Sequence, residues 1–371
     1  MIESIFYLLF VYIYLVSGLF VNFLQLCSMV IWPFNKSLYR KVNWCLVRSY
    51  WSQFTFVAEW WSGCDCILYM HPDERERIAT EHIVVTMNHT YEIDWLMAWI
   101  IAERYDLIGG TKIYGKESLR FVPTMGWSWI FVESIFLKRD WNKDKKRIHD
   151  GVKELVAFPD GYWFTLLLFP EGTRYTPEKH EASCEVARQK GYPELKHHLL
   201  PRTKGFAYSM QEMKGKVNAV YDCTIEFKGD VEPSLMNVLR GKKIIGHMRI
   251  RRHEINNLPD SEEDLGVWLR DLFKEKDELV DEFKKTGQFD LPAYHVPRKY
   301  NNLLIWLAWA IVTCLPLFYF LGQIFVSGTF LQQVFIIGFF LFMSVAAKWL
   351  IGWTETKKGS KYGMKEKKKN K

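Results

Sequence analysis

The stretch "HIVVTMNHTYEIDWLMAWIIAERY", residues 82–105, decides the fold, because its hydrophobic pattern changes along its length. The first six residues form a mainly apolar, β-branched run that is typical of a buried strand. From Asp94 onwards, apolar residues recur at the spacing of a helix that packs against a core. A strand followed directly by a helix predicts an α/β fold, with functional side chains in the loops beyond its strand ends.

The same alternation continues through the middle of the chain. Further strands are predicted at residues 134–138, 163–169, 217–227 and 242–255, and helices at residues 144–158, 177–191 and 261–285. The helix at 177–191 begins with proline and stops at glycine, and the helix at 261–285 has a serine cap and an acidic first turn. We therefore expect a mixed sheet that is flanked by helices.

Three long apolar segments flank this region, at residues 4–32, 303–326 and 330–351. Each is long enough to cross a bilayer, which takes about 20 apolar residues. The two C-terminal segments are joined by the short "SGT", which predicts a transmembrane hairpin. The first segment lacks the basic start and the cleavage site of a signal peptide, so it either crosses the membrane or enters it and returns near Gly18.

Basic residues flank these segments and indicate their orientation. They are Lys36, Arg40, Lys41, Arg48, Arg298, Lys299, Lys348, Lys357 and Lys358. Basic flanks stay in the cytosol, which predicts a cytosolic middle region. The chain then divides into N-terminal membrane and interfacial helices (residues 1–62), a cytosolic domain (63–300), a transmembrane hairpin (301–353) and a basic cytosolic tail (354–371).

Composition excludes several classes of function. The net charge of +7 is modest and comes with no nucleic-acid motif, so no nucleic-acid partner is expected. Of the seven cysteines, Cys64 and Cys66 are two apart, which is not the spacing of a zinc knuckle or a redox pair. No His or Cys cluster has metal-ligand spacing, and the adjacent His197 and His198 are interpreted as packing residues. No metal site is predicted.

His89 and Asp94 are candidates for chemistry because they straddle the predicted junction of strand and helix. A carboxylate in the first helical turn can accept a hydrogen bond from one imidazole nitrogen, which leaves the other nitrogen to take up a proton. The sequence has no serine at a G-x-S-x-G turn, so the nucleophile is expected to be the substrate's own hydroxyl. The alternative is an incidental histidine beside a capped helix, and spacing alone does not separate the two readings.

A second loop, "FPEGTR" at residues 169–174, also follows a predicted strand. Gly172 permits close approach of the backbone, and Thr173 and Arg174 offer donors that suit a phosphate. Other candidates for anionic groups are the basic residues Lys112, Lys116, Arg202 and Lys204, for which a solvated or lipid-facing side chain is the alternative.

The pair "NHTYEID" (88–94) and "FPEGTR", with "SIFLKR" (134–139) between them and "HHLLPRTKG" (197–205) after them, resembles the glycerophospholipid acyltransferase family. More narrowly, the chain resembles the 1-acylglycerol-3-phosphate (lysophosphatidic acid) acyltransferases, in the microsomal subgroup that carries a C-terminal membrane hairpin. One departure is Glu133, which stands where the family usually has glycine.

The resemblance implies transfer of an acyl group from acyl-CoA, as co-substrate, to the free hydroxyl of lysophosphatidic acid. It assigns His89 as general base and Asp94 as the residue that orients it. Residues implied to hold the glycerol-phosphate head are Glu171, Gly172, Thr173 and Arg174, with Arg139 nearby. No further cofactor is implied. An acyltransferase for another lysophospholipid and a non-catalytic, lipid-binding membrane scaffold are the alternatives.

The chain ends "KKNK", where Lys368 and Lys369 resemble a cytosolic dilysine retrieval signal, with a solvated basic tail as the alternative. The expected location is the endoplasmic reticulum membrane, with several spans, the bilayer as partner and the catalytic domain in the cytosol. Asn35 and Asn88 begin glycosylation motifs that would be used only in the lumen. The sequence identifies no protein partner.

Overall fold

The computed structural model describes the backbone of residues 2–352 and the side chains of residues 6–342, 345 and 346. Within that part of the chain the strands are β1 (Asp65–Tyr69), β2 (Ile83–Met87), β3 (Thr111–Lys116), β4 (Ile135–Leu137), β5 (Thr165–Leu168), β6 (Ala219–Lys228), β7 (Ile245–Glu254) and β8 (Ala293–Tyr294). The helices are α1 (Ile2–Ser28), α2 (Lys36–Phe56), α3 (Pro72–Arg75), α4 (Asp94–Arg104), α5 (Met125–Phe131), α6 (Trp141–Leu155), α7 (Pro177–Lys190), α8 (Thr203–Met213), α9 (Leu235–Leu239), α10 (Glu262–Thr286), α11 (Asn301–Ser327) and α12 (Phe330–Gly352). The predicted tail at residues 354–371 lies outside the described residues.

The strands form one mixed sheet in the order β4-β3-β5-β2-β6-β7-β1-β8. Neighbours from β4 to β6 are parallel, whereas β7 is antiparallel to β6 and β8 is antiparallel to β1. The register sets Thr86 of β2 beside Leu168 of β5 and Asp222 of β6. The carboxyl ends of the parallel strands therefore meet at one edge of the sheet, where the loops after β2 and β5 lie side by side.

Helices cover both faces of the sheet. The buried side chains of β5 show this, because they alternate between two apolar clusters. Leu166 and Leu168 join the cluster built with α6, α8 and α10. Leu167 points the other way, into the cluster built with α4. The prediction of a mixed sheet flanked by helices is confirmed, and all the predicted strands form. β1, β3 and β8 were not predicted.

The helix ends follow the predicted signals. The Thr176 side chain accepts the backbone N–H of Lys179 at the start of α7, and the helix stops at Gly191, whose φ is 68°. Ser261 caps α10 in the same way, and that helix stops at Gly287 with φ 76°. A glycine suits each stop because a φ in this range strains residues that carry a Cβ atom.

The first two helices form an antiparallel pair. α1 continues through Gly18 without a break, so a return of the chain at that residue is wrong, and the chain turns at residues 29–34 instead. Gln25 of α1 donates to Asn43 of α2 at 3.1 Å. Nearer the amino end of α1, Ser17 accepts a hydrogen bond from Gln53 at 2.8 Å. α2 also packs against the sheet domain, where Trp51 stacks on Trp99 of α4.

The C-terminal apolar segments form α11 and α12, as predicted. By length and composition, Phe6–Ser28 and Asn301–Ser327 could cross a membrane. The side chains of α11 are mostly exposed, including Leu304, Val312 and Phe318. The division of the chain at residues 62, 300 and 353 stays a prediction.

Candidate active site

The loop after β2, residues 88–93, is here called the histidine loop, and it is anchored to β6. The Asn88 side chain is fully buried, accepts the backbone N–H of Ile225 at 2.8 Å and donates to the Ile225 carbonyl at 3.0 Å. These two bonds replace the ladder contacts that end with β2. His89 therefore starts from a fixed backbone position at the carboxyl edge of the sheet.

Asp94, the first residue of α4, holds the imidazole of His89. The distance from His89 Nδ1 to Asp94 Oδ2 is 3.1 Å. The same carboxylate oxygen accepts the backbone N–H groups of Thr90 at 2.8 Å and Tyr91 at 2.9 Å. This geometry fixes the ring orientation and leaves Nε2 as the nitrogen that can exchange a proton with a substrate.

The ring of His89 is held on its face as well as on its edge. It stacks on Phe169, with ring centroids 4.0 Å apart. The backbone carbonyl of His89 accepts the N–H of Tyr175 at 2.8 Å. Phe169 and Tyr175 belong to the loop after β5, residues 169–176, here called the EGTR loop. The two loops therefore form one unit around a histidine whose side chain stays 18% exposed.

The side chain of Glu171 connects two backbone segments by hydrogen bonds. Its Oε1 accepts the N–H of His89 at 2.7 Å, and its Oε2 accepts the N–H of Leu199 at 2.9 Å. Burial raises the pKa of Glu171 to about 8. The structure thus turns this carboxylate towards two backbone amides, and the predicted contact with the substrate head stays a prediction.

Gly172 allows the EGTR loop to make a tight turn. Its φ is 72°, and a Cβ atom there would lie 3.0 Å from the Cδ and Nε atoms of Arg202. Its carbonyl accepts a hydrogen bond from Arg139 at 2.9 Å. The N–H of Arg202 donates to the Pro170 carbonyl at 2.8 Å. Both arginines therefore lie against this loop, and their binding of a substrate anion stays a prediction.

Lys179 also contacts this loop, and the sequence analysis did not single it out. Its ammonium donates to Thr173 Oγ1 at 2.8 Å and to the Arg174 carbonyl at 3.2 Å, and the residue is 5% exposed. Arg174 itself lies 3.8 Å from Glu92. The sequence did contain a signal for this residue. A lysine in the first turn of a helix is unfavourable beside the positive end of the helix dipole, so Lys179 needs partners elsewhere.

These cations set the electrostatics of the histidine. Burial, followed by the charges of Arg174, Lys179 and Arg139, lowers the pKa of His89 to about 3. Burial raises the pKa of Asp94, while the N–H groups of the histidine loop act in the opposite direction. His89 is therefore neutral at physiological pH and can accept a proton, which is the state that a general base requires.

Comparisons with known proteins give the family of this chain. Residues 71–228 match the family model described as "Acyltransferase", and residues 237–309 match "Acyltransferase C-terminus". A 1-acyl-sn-glycerol-3-phosphate acyltransferase delta from Bos taurus is 40% identical over 357 residues, which cover 96% of this chain and 94% of that protein. A gamma form from Homo sapiens is 41% identical over 367 residues, which cover 99% and 97%. This chain belongs to the 1-acyl-sn-glycerol-3-phosphate acyltransferase family.

One solved structure is also similar to the acyltransferase. It is the 1-acyl-sn-glycerophosphate acyltransferase PlsC from Thermotoga maritima, with a TM-score of 0.44 and 17% identity over 75% of this chain and 95% of that one. Family membership at this level over nearly the whole chain makes the protein an enzyme, and it decides against the non-catalytic scaffold.

Glu133, the departure from the family pattern, has a structural explanation in the acyltransferase. Its φ is 64°, a value that favours glycine. The glutamate forms two bonds to the buried Arg40 of α2, at 2.7 and 2.9 Å. The strained residue therefore ties the N-terminal helices to the sheet domain at the entrance of β4.

The remaining basic candidates are Lys112, Lys116 and Lys204. The register sets Lys112 beside Leu166 at the amino end of the parallel strands, with its ammonium 4.5 Å from the Phe158 ring. Burial lowers its pKa to about 7. Lys116 ends β3 at the carboxyl edge and is exposed, as is Lys204 in α8. Lys112 is thus a core residue, which fits neither the reading as a ligand of a substrate anion nor the reading as a solvated or lipid-facing side chain.

The paired histidines pack as predicted. His198 Nδ1 lies 3.0 Å from Asp277 and His197 Nε2 lies 3.2 Å from Asp281, both on α10. No group of three or more His, Cys, Asp or Glu residues has a metal-binding arrangement among the residues described.

Proposed function

We propose that this acyltransferase moves the acyl group of an acyl-CoA thioester to the free hydroxyl of 1-acylglycerol-3-phosphate, giving phosphatidic acid and CoA. The names of the relatives support the acceptor. The observation that carries the proposal is the imidazole of His89, which Asp94 holds by one nitrogen next to a group of three cations.

In the proposed reaction, Nε2 of His89 removes the proton of the acceptor hydroxyl, and the oxygen attacks the carbonyl carbon of the thioester. The carbon–sulfur bond then breaks, CoA leaves as the thiolate, and the imidazolium returns its proton to the sulfur. Asp94 accepts a hydrogen bond from the Nδ1–H group throughout the reaction and stabilises the imidazolium. A positioned general base contributes about 10²–10⁴-fold to the rate. The proposed reaction needs no cofactor besides the co-substrate acyl-CoA.

The cations Arg139, Arg174 and Lys179 are proposed to bind the phosphate of the acceptor. The guanidinium fork suits phosphate oxygens, and Gly172 lets the backbone approach closely. These charges also lower the pKa of His89. A bound phosphate would offset them and raise that pKa, so we expect the histidine to become a stronger base once the acceptor is in place.

The acceptor is tested by a panel of lysophospholipids that share one acyl chain, assayed with one labelled acyl-CoA and the purified full-length protein. We expect the highest kcat/KM for lysophosphatidic acid, whose phosphate monoester presents the most charge to the three cations. An equal or higher kcat/KM for lysophosphatidylcholine or lysophosphatidylethanolamine would contradict this acceptor. It would support the alternative of an enzyme for another lysophospholipid.

For the location, we propose the endoplasmic reticulum membrane, with the catalytic domain and the tail in the cytosol. The apolar helices α1 and α11 and the basic flanks support this arrangement. A tag after Lys371 should be reached by antibody when only the plasma membrane is permeabilised. Asn35 is the informative glycosylation site, because it is exposed between α1 and α2, whereas Asn88 is buried. A glycan on Asn35 would contradict the topology.

A further inference from the structure

The segment from Phe121 to Ile130 has inverted polarity. Its exposed side chains are large and apolar: Phe121 (73% exposed), Val122 (40%), Trp127 (41%) and Ile130 (38%), here called the apolar rim. The polar side chains of the same segment, Thr124 and Ser128, are buried. A helix in contact with water shows the reverse pattern, with its apolar stripe inside and its polar face outside.

Hydrogen bonds to α2 fix this orientation. Thr124 Oγ1 lies 2.5 Å from the Tyr50 hydroxyl, and Trp51 Nε1 donates to Ser128 Oγ at 3.0 Å. The polar side chains cannot turn outwards without losing these buried partners. The apolar rim is therefore held away from the protein core.

α1 has the same inversion and touches the segment. Its buried side includes Ser17, Asn22, Gln25 and Ser28, whereas Leu19, Phe20, Phe23 and Leu26 are 51–60% exposed. A Cβ atom on Gly18 would lie 2.8 Å from the Cβ of Thr124, so α1 and this segment are in direct contact. α1 therefore packs directly against the segment that carries the apolar rim.

The point of contact also sets a depth. Gly18 is ten residues from Ser28, where the apolar stretch of α1 ends, and ten helical residues span about 15 Å. The apolar rim therefore lies beside the middle of α1 and shares the surroundings of that part of the helix. Exposed apolar side chains grouped in this way mark a membrane or protein contact. Direct packing against α1, which is long and apolar enough to cross a bilayer, favours the membrane.

We propose that the apolar rim is immersed in the hydrocarbon of the bilayer, so that part of the sheet domain itself is a membrane-contacting surface. The segment follows β3, whose carboxyl end lies at the same edge of the sheet as His89. The exposed Lys116 at that end is placed to face lipid phosphates. Immersion of the rim places this edge of the sheet, where His89 lies, next to the bilayer.

The test uses the full-length wild-type protein in vesicles of phosphatidylcholine, a small fraction of which carries a photoreactive diazirine in its acyl chain. After illumination, the labelled peptides are mapped by mass spectrometry. We expect labelling of the peptide with residues 117–131 at a level close to that of residues 19–30. Residues 259–271 are the control. They follow the end of β7, which lies at the amino ends of the parallel strands, and Val267 in the early part of α10 is 43% exposed.

An environment-sensitive fluorescent amino acid at position 121 or 130 gives an independent reading, with Leu19 and Val267 as positive and negative control positions. We expect a blue-shifted emission that brominated phosphatidylcholine quenches at 121, 130 and 19, but not at 267. The proposal is overturned if residues 117–131 are labelled no more than residues 259–271, or if positions 121 and 130 behave like 267. A rim covered by a second copy of the protein would give low labelling and a blue-shifted emission that brominated lipid does not quench, which also overturns the proposal.

Discussion

The carboxylate of Glu171 accepts the backbone N–H of His89 at 2.7 Å, so the acidic residue of the EGTR loop supports the main chain of the histidine. Its other oxygen accepts the N–H of Leu199. Three segments that are far apart in the sequence therefore meet at one buried carboxylate. This arrangement gives Glu171 a role in positioning His89 that does not require contact with the substrate.

Glu171→Gln should lower kcat by about tenfold or more while leaving the KM for lysophosphatidic acid unchanged. The amide would set an NH₂ group against a backbone N–H, and an unsatisfied buried donor costs about 1–3 kcal/mol. Steady-state kinetics and thermal unfolding measure the two effects. A raised KM with unchanged kcat would instead make Glu171 a substrate-binding residue.

Arg174→Lys should raise the KM for lysophosphatidic acid by about tenfold or more. The change keeps the charge but removes the fork, and a hydrogen bond to a charged group contributes about 1.5–3 kcal/mol. Arg188→Lys on α7 is the matched control, since Arg188 pairs with Glu194 near the surface. If the KM of Arg174→Lys equals that of the control, Arg174 does not bind the phosphate.

Lys179→Met should shift the acid limb of the pH profile of kcat/KM to higher pH. Lys179 lowers the pKa of His89, so removing this positive charge makes the imidazolium easier to form and raises that pKa. A base with a higher pKa becomes protonated, and so inactive, at a higher pH. Lys190→Met, at the exposed end of α7, is the control. Coincident acid limbs for the two variants would contradict the influence of Lys179 on the histidine.

Glu133→Gly should lower the melting temperature, although it removes a strained backbone. Relief of the left-handed conformation stabilises by about 1–2 kcal/mol, whereas breaking a buried ion pair costs about 3–5 kcal/mol. In Glu133→Gly the buried Arg40 keeps only Glu154, whose side chain is 36% exposed, as its ion-pair partner. The second variant, Arg40→Met with Glu133→Gly, removes that poorly compensated charge and should recover part of the loss. A single variant at least as stable as wild type would show that the pair with Arg40 does not stabilise the fold.

The parts of the site that could be predicted from the sequence are those built within one local unit. His89 and Asp94 belong to a single strand–loop–helix unit, so their contact follows from the position of the strand end. The EGTR loop also follows directly from β5. The contact of Glu171 with Leu199 could not be predicted, because it depends on how the segment before α8 folds back on the sheet.

The missed strands have a physical explanation as well. β3 has the sequence TKIYGK, which carries two lysines and a glycine and lacks the alternation of a half-buried strand. It forms because β4 and β5 pair with it on both sides. Lys112 was taken as a possible ligand for the same reason, since nothing local shows that its ammonium lies over the Phe158 ring.

The central claim is that His89 is the general base of acyl transfer. The most direct test is the single-turnover rate of His89→Ala, with His149→Ala as control because His149 lies on α6 and pairs with Glu212 near the surface. We predict a rate at least about 10²-fold below wild type for His89→Ala, with unchanged folding and membrane binding, and a normal rate for the control. A His89→Ala protein that keeps even about a tenth of the wild-type rate would contradict the account, since the loss of a general base costs more than that.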